Sequence, residues 1–156
     1  MKLVKIQTDK GKDSLISMIS DNARVNEGVK FNTAKGTPHM HVKEKGGRVR
    51  IVCEMRGRAT RDNGFGYLVG TFFSGKIKEK NGAATLSGII ITAPIYHAIM
   101  IALLAVFIYQ CIKAGGISVV PILLVAFEVI FFFDEFKKQG YISRYLYRAE
   151  RRLNKQ

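Results

Sequence analysis

His97 and Glu128 are ionisable residues in apolar surroundings, each a few residues inside one end of a hydrophobic run. A charged carboxylate at the centre of a spanning helix costs roughly 2.5–3.5 kcal/mol, and less near its end. Glu128 therefore needs a partner, a proton or water. A hydrogen bond or ion pair with His97 would lock the two runs together. The alternatives are a protonated or snorkelling carboxylate, and a proton-responsive wet path lined by Glu128 from several copies.

Two further constellations carry chemistry. Arg56, Arg58 and Arg61 share a loop with Gly57, Gly64 and Gly66, where guanidinium and backbone N–H groups could hold a phosphate. The loop lacks the Gly-Lys-Ser/Thr ending and following helix of a P-loop. It also reads as a plain solvated connection. His39-x-His41 places two imidazoles on one face of a strand, but two ligands do not make a metal site. No Ser/His/Asp order, Cys/His dyad or paired carboxylates stand out, so the expectation is a protein without enzymatic activity, metal or cofactor.

The elements that must position these residues begin with the apolar runs. Ile95 to Ile112 is uncharged over 18 residues, and Ile117 to Phe133 carries only Glu128. With Ala114-Gly115-Gly116 between them, they predict a two-helix transmembrane hairpin, about 95–112 and 117–135 within 93–136. Ala98, Ala102 and Ala105 form a small-residue stripe that lets a partner helix approach closely. That partner is either the second helix of the hairpin or another copy. Tyr96 and Tyr109 stand near the two ends of the first run, at headgroup level.

Charge sets the orientation. The net charge is +13, with 17 Lys/Arg against 8 Asp/Glu before Gly88 and 7 against 1 after Phe136; the intervening loop holds only Lys113. The positive-inside rule then places both termini in the cytoplasm, at the inner membrane if the cell is bacterial. Cys53 and Cys111 fall on opposite sides of the bilayer and cannot pair; both read as packing residues.

Residues 1–92 predict a cytoplasmic α+β domain. Lys2 to Thr8 reads as a strand. Asp13 or Ser14 can cap a short helix containing Leu15, Ile16, Met18 and Ile19. Val29 to Asn32 is a further candidate strand. One hairpin spans His39 to Met55 around Lys45-Gly46-Gly47. Another spans Tyr67 to Thr92 around Asn81-Gly82, a pair that tolerates the positive φ angles of a type I′ turn. An antiparallel sheet with one short helix or a small half-barrel satisfies the pattern. Only two or three residues separate the last strand from the first apolar run, so the sheet must sit against the bilayer.

The Phe73-x-Gly75-Lys76-Ile77 and Thr85-Leu86-x-Gly88 hairpin, running straight into a membrane hairpin, resembles that of small bacterial membrane proteins of unassigned chemistry. The resemblance covers residues 70 to about 135 and implies the architecture alone.

Residues 137–156 predict a basic amphipathic helix. Ile142, Tyr145, Leu146, Ala149 and Leu153 share one face, while Arg144, Arg148, Arg151 and Arg152 occupy the rest. Such a segment lies in the plane of anionic headgroups or docks on the N-terminal domain; the membrane surface is the expectation. Nucleic acid is disfavoured, because no binding motif appears and basic residues are mixed with acidic ones. The whole predicts a membrane-anchored sensor, adaptor or immunity-type module that recognises an anionic small molecule or a protein. The alternative is a homo-oligomeric effector, triggered by a ligand such as a nucleotide second messenger, that forms a pore or disrupts the bilayer.

Overall fold

Apolar residues recurring at every second position, with glycine turns between strands, build the sheet. The computed structural model describes residues 1–29, 38–55, 70–116 and 119–155. Their order is β1 (Lys2–Thr8), α1 (Lys12–Ser20), α2 (Asn22–Asn26), β2 (Pro38–Lys45), β3 (Arg48–Met55), β4 (Phe72–Lys80), β5 (Ala83–Ile91), α3 (Pro94–Ala114) and α4 (Val120–Leu153). The five strands form one open antiparallel sheet in the order β1-β5-β4-β3-β2. Gly46-Gly47 and Asn81-Gly82 turn the hairpins, all four with positive φ, as their two-residue loops require. Most of the Val29–Asn32 candidate strand lies outside the described residues.

One face of the sheet is the core. Val4 and Ile6 of β1, Leu86 and Ile90 of β5, Phe73 and Ile77 of β4, and Val49 and Ile51 of β3 point to the same side and are buried. Gly75 and Gly88 are cross-strand partners at its centre. The Phe73 ring lies over both of them: a Cβ built on Gly75 would stand 2.5 Å from Phe73 Cζ, and one on Gly88 2.8 Å from the same atom. The two glycines leave the space that the ring fills.

Against this face pack α1, α2 and the second half of α4. Leu15, Met18 and Ile19 of α1 and Val25 of α2 join the core. Helix α1 starts at Gly11, without a side-chain cap, and Asp13 falls in its first turn rather than at the cap. Asp21 caps α2 by accepting from Arg24 N at 2.9 Å.

The C-terminal segment corrects the sequence expectation. Helix α4 continues through Gly140 for 34 residues, a length of ~50 Å. It carries Ile142, Tyr145, Leu146 and Ala149 to full burial against the sheet. Tyr145 Oη donates to Ile19 O at 2.7 Å, joining α4 to α1. The apolar face of 137–156 is therefore interior to the domain and is not laid on a membrane. The sheet offers it a fixed apolar surface that a headgroup layer would only partly replace.

Both sheet edges are closed at one point by helix side chains. On β1, Gln7 N donates to Glu150 Oε1 at 2.7 Å and Gln7 O accepts from Asn154 Nδ2 at 3.2 Å. On β2, the Asn22 amide pairs with Met40 N at 2.8 Å and Met40 O at 2.7 Å. Such pairings blunt edges that would otherwise template further strands.

Candidate functional site

Three regions gather the polar chemistry: the apolar stem, its junction with the sheet, and the open sheet face. Helix α3 is the one described helix long and apolar enough to cross a membrane, with a mean hydropathy of 2.1 over its best window. Pro94 opens it directly after Ala93, whose φ of 34° turns the chain sharply from strand to helix. The apolar part of α4, Val120 to Phe133, is shorter, and residues 117 and 118 lie outside the described ones.

The two helices meet along half-buried positions: Tyr96, His97, Met100, Leu104 and Phe107 on α3, and Leu124, Glu128 and Phe131 on α4. The spacing of three and four keeps these residues on one side of each helix. His97 Nδ1 contacts Glu128 Oε1. Beside them the Tyr96 and Phe131 rings stack with centroids 3.7 Å apart. His97 Nε2, Glu128 Oε2 and Tyr96 Oη are buried without a hydrogen-bond partner among the described residues. Ala98, Ala102 and Ala105 do not take part. All three are exposed, which corrects the expectation that this stripe packs on the second helix. Larger side chains at heptad spacing supply the contact instead.

At the junction stands a further buried carboxylate. Glu135 is 1% exposed. Its Oε2 accepts from Thr71 N at 2.9 Å, Lys138 Nζ pairs with Oε1, and Thr71 Oγ1 donates to Glu135 O at 3.3 Å. A buried carboxylate is tolerable because both oxygens are satisfied. Thr71 immediately precedes β4, so Glu135 ties the start of a central strand to the helix that leaves the stem. Cys53 lies nearby; burial pushes its thiol up to about 12, with Lys138 and Glu135 close enough to contribute. Both cysteines are free thiols. The signal available in sequence was the i, i+3 spacing of Glu135 and Lys138, which is also that of a surface pair.

The face of the sheet opposite α4 is basic. The register aligns Lys5, Ser87, Lys76, Arg48 and Lys45 in one row across all five strands. The adjacent row is Leu3, Ile89, Ser74, Arg50 and Lys43. The Arg50 guanidinium covers the Phe72 ring at 4.5 Å. Glu54 is the acidic residue on this face among the described strands, and it meets His41 Nε2 at 2.5 Å. Glu44 and Glu79 point to the helix side. Glu44 binds Gly47 N at 2.7 Å and Lys12 at 3.2 Å, and these contacts hold its carboxyl below the usual range, the Gly47 N–H most of all.

The His39 and His41 rings contact edge to face at 4.9 Å. They border an open depression of about 650 Å³ between β2 and the α1–α2 turn. No three His, Cys, Asp or Glu side chains gather as a metal site among the described residues. Arg56, Arg58 and Arg61 lie outside the described residues.

On α4, Arg152 binds Glu27 with Nη1 to Oε2 at 2.9 Å, and Arg144 leans over Tyr141 with its Cζ 5.5 Å from the ring centre. Arg148 is half-buried, and desolvation lowers its pKa. Arg151 is exposed. No protein-family model, curated protein or solved structure matches this chain.

Proposed function

We propose that this chain is a membrane-anchored cytoplasmic binding module. Helix α3 and the first half of α4 form its transmembrane hairpin, and the sheet domain recognises an anionic ligand or an acidic protein surface. The observation that carries this reading is the position of the stem within the fold. Strands β1 to β5 precede it and the second half of α4 follows it, yet both belong to one hydrophobic core. A chain that leaves that core through α3 and crosses a bilayer must cross back to complete it. Both termini then lie on one side, and the distribution of Lys and Arg favours the cytoplasm. The recognising surface is the basic open sheet face. Site-directed labelling from outside intact cells tests the topology. In a Cys53→Ser, Cys111→Ser background, Gly115→Cys should react with an impermeant maleimide, while Ser87→Cys and Lys155→Cys should not. Labelling of all three or of Lys155 alone would reject the hairpin.

A second reading has independent support. In an oligomeric effector, α4 would transmit movement of the sheet to the stem as one uninterrupted helix. The exposed Ala98, Ala102 and Ala105 stripe would then meet neighbouring copies. Native mass spectrometry of the full-length protein in mild detergent separates the two readings. Four or more subunits favour the effector, and a monomer or dimer favours the anchored module.

A further inference from the structure

We infer that the open face of the sheet docks on the anionic headgroups of the same leaflet that α3 enters. This rests on the membrane-anchored reading and names the partner of its basic face. Lys5, Lys45, Arg48, Arg50, Lys76 and Lys78 are all exposed and all point away from the core. They are contributed by four strands between residues 5 and 78, and the strand register brings them into adjacent rows. The alternation along each strand therefore separates cations from core residues. It does not mix them with acids, as a linear reading suggests.

Position selects the leaflet. The row containing Arg50 aligns with Ile89 and the row containing Arg48 with Ser87. Those rows lie ~7 and ~14 Å along β5 from Ile91, and only Thr92 and Ala93 then precede α3. Helix α3 has 21 residues, a length of ~31 Å that matches the hydrocarbon core. Headgroups extend roughly 5–8 Å beyond that core, and the Debye length at physiological salt adds about 8 Å. With Thr92 and Ala93 included, upright strands place the rows ~14 and ~20 Å from the start of α3, so the nearer row falls inside this zone upright and both do as the sheet tilts toward the bilayer. Leu3, 81% exposed, and Ile89 share the nearer row and suit the headgroup boundary. A nucleic acid would call for exposed rings on which bases stack. On the described part of this face Phe72 is buried beneath Arg50, and the other rings, His39 and His41, stand against each other at the β2 edge.

Lysine acetylation of the full-length protein in nanodiscs, read by mass spectrometry, tests this without substitutions. The discs contain phosphatidylcholine alone or with phosphatidylglycerol at about one-third of the lipid. Acetylation of Lys5, Lys45, Lys76 and Lys78 should slow about fivefold in the anionic discs and recover in high salt, with Lys10 and Lys155 nearly unchanged. Equal rates in the two discs, in protein that inserts into both, would overturn the docking while leaving the anchor standing. Failure to insert would overturn both. Protection by polyuridylate in neutral discs, with none from phosphatidylglycerol, would reassign the face to nucleic acid and also overturn the proposal.

Discussion

Glu135 Oε2 accepts the backbone N–H of Thr71 at 2.9 Å, so one buried carboxylate joins the helix emerging from the stem to the start of a central strand. Removing it leaves an unpaired buried amide and strands Lys138 beside an apolar pocket. Glu135→Ala should cost roughly 3–5 kcal/mol of domain stability. Glu135→Gln, which keeps an acceptor for Thr71, should cost less. Urea unfolding followed by circular dichroism measures both, and equal effects would show that the Thr71 bond contributes little.

The Phe73 ring makes a different kind of demand. Gly88→Ala would bring a Cβ within 2.3 Å of Ser74 O and 2.4 Å of Gly75 Cα, both backbone atoms. Overpacking of this kind should lower stability by about 2–3 kcal/mol. At Gly75 the nearest atoms belong to the Phe73 side chain. Phe73→Leu should therefore recover part of the loss from Gly75→Ala and little of the loss from Gly88→Ala. A double-mutant cycle gives the coupling for each pair.

Tyr145→Phe deletes the hydroxyl that bonds Ile19 O while preserving the buried ring. The orphaned carbonyl should destabilise the domain by about 1–2 kcal/mol. Amide hydrogen exchange should rise first in α1, which that bond holds to α4. An increase spread evenly over all elements would contradict this local role.

Cys53 should be inert and should make the fold alkali-sensitive. Burial raises its thiol from an ordinary value of 9.0 to about 12. The folded state therefore keeps the proton where the unfolded state has lost it. Stability should be unaffected below about pH 9 and fall between pH 9 and 12 by at most ~1.4 kcal/mol per pH unit from this group. Tyr145, also raised by burial, contributes in the same direction at higher pH. Cys53→Ala should flatten the first part of the decline, and an unchanged slope would assign it to other groups.

The local features were legible from sequence for physical reasons. Asn81-Gly82 and Gly46-Gly47 specify turns by the φ angles they tolerate, and the flanking alternation specifies strands of period two. The uncharged run of α3 announces itself by length and composition. The motif Phe73-x-Gly75 with Gly88 was visible as a pattern, but the ring over two paired glycines emerged only from the cross-strand register.

What tertiary structure decided is where each amphipathic surface goes. A basic helix with one apolar face has the same sequence pattern whether that face meets lipid or a sheet. Only the sheet's exposed hydrophobic side made residues 142–153 part of the core. Burial of Glu135 likewise depends on where α4 crosses the sheet, which spacing along one helix does not encode. Lys5, Lys45, Arg48 and Lys76 look scattered because strand pairing, not sequence proximity, places them in one row. The chain alone determined the five strands, their turns and the apolar run of α3, since those follow from local backbone preference and hydropathy. The fold decided which faces are covered and which remain open, since that depends on contacts between residues far apart in the chain, such as Gln7 and Glu150, 143 positions apart.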